Sequence, residues 1–356
     1  KLQKALNKVQ AKLNSFQSKQ DVKNWTVALI VKQNLLNGLH SVEKSVNEFK
    51  KEKWPKNLSS QVLLNLYYAQ TLRNYYNYYS WEINKREKVQ SKQKLNLKQW
   101  TKEDIFTEIQ RAFVTVWKRR DELLSTKTDV FKAFIKEGSY PRSVRGTVRD
   151  SLTYFYANFM ANATFWSAKH SNEKSLLDPN EMLKIKKDFA NEKYLMDSSI
   201  SPIKKIMAIL TDLEKWHWRN DRLSSLMEAY FEKIRTLKNN FTNSKHKIFL
   251  NTKLKRFLRD FKHDSWWAEG MYLRASISME QSHDTSLIEA LEIAKLGAKE
   301  HQNSPGAIRC EHLVSKIKIP SLELSMMHSD QKNKQSLEIK YKNWTEVHFR
   351  AYRFSP

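Results

Sequence analysis

Apolar positions recur with a period of about 3.6 from the start of the chain to about residue 318. Leu2, Leu6, Val9 and Leu13 share one face of residues 1–20, which predicts an amphipathic helix. Trp25, Ala28, Leu29, Val31, Leu35, Leu36, Leu39 and Val42 keep that spacing over 21–50, and residues 51–55 break it. The strongest pattern covers 59–89, where Val62, Leu66, Ala69, Leu72, Tyr76, Tyr79 and Ile83 step by three or four. Leu63, Tyr67, Tyr75 and Tyr78 add a second stripe, so this helix is predicted to pack between neighbours. Residues 90–98 are basic and read as a connector. Thr101 and Asp104 fit a capping box ahead of Ile105, Ile109, Ala112, Val116 and Leu123, in a helix ending near Ser125. A turn at 137–141 precedes an aromatic-rich helix over 143–168. Pro179, Pro202 and Pro305 each follow a good N-cap residue and mark helix starts. Further helices are predicted over 203–218, 221–240, 244–262 and 265–282. Ser286 and Glu289 cap another, with Ala290, Ala294 and Ala298 on one side, and the last ends near Pro320.

After Pro320 the period changes to 2. Apolar and polar residues alternate in 321–324, 337–341 and 347–351, with Lys342, Asn343 and Trp344 as a turn between the last two, which reads as two or three strands. A two-stranded sheet is marginal in water, so these strands are expected to belong to a larger β domain. The predicted fold class is mainly α. Stacked helical hairpins would form a solenoid like tetratricopeptide arrays over 1–320, followed by the first strands of a truncated β-sandwich over 321–356. Residues 287–305 look like the second helix and terminal proline of a tetratricopeptide unit, although no strict period of about 34 residues runs through the chain.

Composition supports the helical reading. The chain has 6 Gly and 7 Pro in 356 residues, where ordinary usage gives about 25 and 18. That argues against an all-β fold rich in tight turns. The charge balance of 63 basic and 38 acidic residues, +25 net, bears on partners rather than fold: nucleic acid, anionic lipid or an acidic polymer. A single cysteine, Cys310, excludes an internal disulfide framework and a Cys-based zinc site. No run of about 18 apolar residues is present. The chain opens at Lys1 with no signal peptide and stops at Pro356 inside a strand-like pattern, so it reads as a piece of something longer.

Catalytic signatures are missing from the sequence. There is no His-Glu-x-x-His, Gly-x-x-x-x-Gly-Lys, Gly-x-Gly-x-x-Gly or Gly-x-Ser-x-Gly. His217, between Trp216 and Trp218, reads as a partly exposed histidine beside packing tryptophans. Cys310 reads as a small buried hydrophobe, because His312 two residues on points to a different helix face and cannot serve it as a base. The stretch Tyr67, Tyr68, Tyr75, Tyr76, Tyr78, Tyr79 and Trp81 admits carbohydrate or base stacking, with Glu82 to orient a hydroxyl, against plain core packing. Lys245, Lys247, Lys253, Lys255, Arg256, Arg259 and Lys262 form the best electrostatic patch, a candidate anionic-surface contact. Its helix has Ile248, Phe249, Leu250, Leu254, Phe257, Leu258 and Phe261 as apolar residues, and a solvated helix face is the plainer alternative. Neither a cofactor nor a metal site is expected.

Several segments carry a resemblance. Residues 61–89, with Leu63-Leu64-Asn65-Leu66-Tyr67-Tyr68-Ala69 and Trp81-Glu82-Ile83, resemble the N-terminal helical region of large bacterial α2-macroglobulin-like proteins. So do residues 97–105, around Trp100, and residues 140–150, from Tyr140-Pro141-Arg142 to Asp150. Residues 303–310, 319–324, 336–343 and 347–353 are similar to the family in the same order, the last segments to the first strands of a macroglobulin β-sandwich. Cys310-Glu311-His312-Leu313 does not match the Cys-x-Glu-Gln in which an internal thioester forms. The resemblance implies an exported protein of the periplasm, outer membrane or cell surface, whose later domains trap proteases. The chain would then be a non-catalytic scaffold for macroglobulin domains of the same polypeptide, and through them for target proteases. An envelope protein is a further partner, and no small-molecule substrate is expected. Two other readings stand beside it: a basic module binding nucleic acid or an anionic surface, and an enzyme, for which the sequence offers no motif.

Overall fold

The computed structural model describes residues 1–87, 96–132, 134, 138–281, 285–326, 336–350 and 352. The chain is mainly helical, with sixteen α-helices and one two-stranded antiparallel sheet among the described residues. It divides into two compact units, residues 1–241 and 242–356. The switch from helix to strand at 320 therefore lies inside the second unit.

The first unit begins with α1 (Leu2–Ser18), α2 (Val22–Gly38), α3 (Val42–Lys51), α4 (Leu58–Tyr78) and the single turn α5 (Ser80–Ile83). Residues 21–50 are thus two helices, not one. The break follows Gly38, yet it is His40, not the glycine, that takes the left-handed conformation, at φ 56°. Gln20 and Asp221 do the same at φ 52° and 53°, between α1 and α2 and between α11 and α12, the latter given below. A chain so poor in glycine ends helices with polar residues in this conformation, at a cost of about 1–2 kcal/mol each. α4 packs against α2, α3 and α6, burying Val62, Leu63, Leu64, Tyr68, Leu72, Tyr75 and Tyr76. It stops eleven residues short of the expected 89; residues 88 and 89 lie outside the described residues, as does 90–95 of the expected connector.

α6 (Lys102–Trp117) and α7 (Val148–Ala161) start at matching boxes. The Asp104 and Asp150 amides donate to Thr101 and Thr147 Oγ1 at 3.2 and 3.1 Å, and each aspartate accepts from its threonine's amide at 2.9 Å. The second box explains why α7 begins at Val148 rather than near 143. α6 ends at Trp117 instead of near Ser125, and Leu123 is buried from a short 3-10 turn instead. Of the turn expected at 137–141, residue 137 lies outside the described residues. Short helices α8 (Ala168–Glu173), α9 (Pro179–Leu183) and α10 (Glu192–Met196) lead to α11 (Pro202–Arg219) and α12 (Leu223–Asn240). α11 packs on both α7 and α12.

The second unit holds α13 (Ser244–Leu258), α14 (Trp267–Met279), α15 (Ser286–Lys299) and α16 (Pro305–Lys318). α15 starts at Ser286 itself, with Thr285 as cap residue, one position earlier than expected. The buried small row on α15 is Ala290, Ala294 and Gly297 rather than Ala298. A Cβ on Gly297 would sit 2.6 Å from Cys310 Sγ and 2.8 Å from Met271 Cβ, so α14 and α16 close on α15 only because that position lacks one.

β1 (Ser321–Met326) and β2 (Leu337–Lys342) pair antiparallel, from Ser321 opposite Lys342 to Met326 opposite Leu337. Asn343 Nδ2 donates to the Ile317 carbonyl at 2.7 Å, tying the ribbon to the end of α16. The third strand expected at 347–351 does not form among the described residues: 347–350 have no ladder partner, and Ala351 lies outside them.

Candidate functional site

α13 is anchored by one face and free on the other. Leu250, Leu254 and Leu258 recur every fourth residue and are fully or almost fully buried. Each contributes about 1.5–3 kcal/mol, enough to dock the helix without help from its charges. Asn251 donates to Ser278 Oγ at 2.8 Å and accepts from Arg274 Nε at 3.1 Å, fixing the helix against α14. At about 100° per residue, Lys245, Ile248, Thr252, Lys255, Arg256 and Arg259 fall within an arc of about 100° on the opposite side. The four cations among them are exposed, and their side chains have no hydrogen bond or ion pair among the described residues. Ile248, expected on the apolar side, lies among them at 51% exposure.

The other three candidates are engaged. Lys247 donates to the Glu280 carbonyl at 2.8 Å, and Lys262 pairs with Glu300 at 3.2 Å. Lys253 sits 5.3 Å from the centre of the Phe249 ring. Four of the seven candidates are therefore unpaired among the described residues. Lys255, Arg256 and Arg259 also cluster at the C-terminal end of α13, where cations complement the helix dipole.

His217 is not partly exposed. It is completely buried, because α11 turns it toward α7, while Trp218 points outward at 61% exposure. Its Nε2 lies 2.8 Å from Asp150 Oδ1, on the aspartate that caps α7. Beside it, Asp212 accepts from Arg120 Nε and Nη2 at 2.9 and 3.1 Å and from Arg149 Nη2 at 2.7 Å. Arg149 Nη1 reaches Asp121 at 2.8 Å. Nearby, the Arg145 guanidinium lies 3.7 Å from the ring centres of both Tyr140 and Tyr154 and pairs with Glu228 and Glu232. Burial pushes the Glu228 carboxyl up, but Arg235 and Arg145 outweigh it and hold the group below its ordinary value. These charges satisfy one another across helices, an arrangement that fastens α7, α11 and α12. Neither His217 nor the arginines were legible as a network, since their partners lie 28–92 residues away.

Burial pushes the Cys310 thiol up to about 12, and its Sγ lies 3.6 Å from the Ala268 carbonyl oxygen, which makes it a packing residue. The aromatic stretch divides. Tyr68, Tyr75 and Tyr76 are core, with hydroxyls on Glu108, the Leu97 carbonyl and Asn84. Tyr78 and Trp81 are exposed, and Lys85 Nζ covers the Trp81 ring at 3.4 Å. No group of three or more His, Cys, Asp or Glu could hold a metal ion among the described residues, and no described helix is long and apolar enough to cross a membrane.

The β ribbon adds a feature that alternation alone foreshadowed. Leu322, Leu324, Leu337, Ile339 and Tyr341 share one face, and Ser321, Glu323, Ser325, Glu338, Lys340 and Lys342 the other. On the apolar face Leu324 is 57% exposed and Tyr341 61%. No family model, curated protein or solved structure matches the chain.

Proposed function

We propose that the chain is the non-catalytic N-terminal helical scaffold of a bacterial α2-macroglobulin-like protease-trapping protein. One observation carries this: the helical part runs directly into an amphipathic two-stranded ribbon whose apolar face is uncovered among the described residues. Such a ribbon needs a second sheet or more strands against it, which is how the first strands of a β-sandwich behave. The finer architecture belongs to the same proposal: the helical pairs stack as a tetratricopeptide-like solenoid and the ribbon opens a macroglobulin β domain. Its partners are macroglobulin domains of the same polypeptide and, through them, target proteases. The protein is exported to the periplasm, outer membrane or cell surface.

An antibody to this chain should detect, in fractionated source cells, a species far above 42.3 kDa in the envelope or secreted fraction. A cytosolic species near 42.3 kDa refutes the proposal. Removing residues 1–320 from the native polypeptide should alter localisation or protease trapping; if neither changes, the scaffold role falls.

A second reading rests on the four unpaired cations of α13: a basic module that binds nucleic acid or an anionic surface. It requires steeply salt-dependent binding, with a log–log slope near −0.9 for each phosphate contacted.

A further inference from the structure

A cleft of about 470 Å³ opens in the first unit between α4, α6 and α7. That lies within the range of about 300–1,000 Å³ typical of small-molecule sites. Its walls are aromatic. Phe113 and Phe159 stack with centroids 5.6 Å apart, and Phe159 is held in turn by Phe106 at 5.4 Å. Phe155 lines the cleft at 45% exposure, a large ring left partly wet beside a well-filled core.

On the α4 wall stands Arg73. It is half-buried, and its side chain makes no hydrogen bond, ion pair or ring contact among the described residues. Other half-buried or buried arginines of this unit do the opposite. Arg86 donates to the Trp100 carbonyl, Arg120 and Arg149 to Asp212, and Arg145 to Glu228. A guanidinium is always charged, offers five donors, and loses free energy when partly dried without an acceptor. Asn158, also on the cleft, has a carboxamide unengaged among the described residues, whereas Gln70 is occupied with Asn74 at 2.8 Å.

The missing counterpart is an acceptor that fits a planar fork and carries an apolar body into the phenylalanines. We propose that this cleft binds an amphipathic monocarboxylate, with its carboxylate on Arg73 and its hydrocarbon part against Phe113, Phe155 and Phe159. A carboxylate accepts two parallel bonds from one guanidinium. A phosphate dianion is the poorer match, because Arg73 is the sole cationic residue lining this cleft among the described residues. The site is independent of the scaffold reading and adds a ligand that the sequence did not lead one to expect.

The test is calorimetric titration of the 356-residue chain with decanoate below its micelle-forming range, with decanol as the neutral control. Decanoate should bind saturably at one site, and decanol about tenfold or more weakly. Arg73→Met should weaken decanoate by about tenfold and leave decanol unchanged, while Arg73→Lys recovers part of the loss. Phe155→Ala should weaken both ligands. Thermal unfolding of each variant checks that it folds. Absence of saturable decanoate binding to the folded chain overturns the proposal, as does equal affinity in the native chain and Arg73→Met.

Discussion

The α7–α11 interior and the outer face of α13 use the same residue types to opposite ends. In the interior, Arg120 and Arg149 converge on Asp212, and His217 meets Asp150, all beneath the surface. On α13, Lys245, Lys255, Arg256 and Arg259 are exposed and unpaired among the described residues. A net charge of +25 counts both sets alike. Their energetics differ by an order of magnitude: stranding a buried charge costs about 3–5 kcal/mol, whereas an exposed substitution moves stability within about 0.5 kcal/mol. Only the second set is free to answer to a partner.

The sharpest attempt to break this contrast is Asp212→Ala. It leaves Arg149, 2% exposed, and the partly buried Arg120 without their shared acceptor. Urea unfolding should show a loss of about 3–5 kcal/mol. A loss below about 1 kcal/mol would mean that water reaches these arginines and that the interior set is a surface set after all.

Lys205 sharpens the same contrast from inside α11. It is buried, and no ion pair reaches it among the described residues. Burial lowers its pKa from 10.5 to about 8, with Asp197 pulling only weakly the other way. A folded value below the unfolded one means the unfolded chain holds more protons between about pH 8 and 10.5, so the group's penalty fades as pH rises through that window. At pH 7 the penalty is full, about 3 kcal/mol. Lys205→Met should therefore stabilise the fold by roughly that amount at pH 7 and progressively less toward pH 10.5. A constant difference at every pH would show that Lys205 is not charged at a cost.

Much of the local structure was legible because it depends on neighbours in sequence. The Thr101/Asp104 box, the prolines at 179, 202 and 305, and the switch to alternation after Pro320 all work within a few residues, and each holds. Helix ends were read poorly where their signal is conformational. His40 bears no mark of the left-handed turn it adopts, so α2 and α3 were read as one stretch, whereas the boundary at Gln20 was placed correctly. Of the two or three strands expected, two form among the described residues: alternation at 347–350 signals a strand's faces but cannot supply its hydrogen-bonded partner. At the candidate sites, the basic run on α13 was visible, but which members are spent was not. Glu280 and Glu300 lie far along the chain, and only the fold brings them to Lys247 and Lys262. Arg73 was invisible for the converse reason, since its distinction is a partner it lacks among the described residues.

The smallest stability effect is expected on α13 and carries the most functional weight. Replacing Lys245, Lys255, Arg256 and Arg259 together by Gln leaves Leu250, Leu254 and Leu258 in place. Unfolding should shift by no more than about 0.5 kcal/mol per site, with part of any loss due to the helix dipole at the three C-terminal positions. Binding should behave differently if the face meets an anionic surface. Each basic residue near such a surface contributes about 1 kcal/mol, so vesicles rich in anionic lipid should lose affinity steeply with the variant and with added salt. Retained binding would assign the attraction to charges elsewhere on the chain. Unchanged affinity for neutral vesicles, beside lost affinity for anionic ones, would separate charge from the exposed Ile248 in the middle of the patch. Because the leucines hold the helix and the cations do not, this variant can vary the electrostatics of α13 while its position stays fixed.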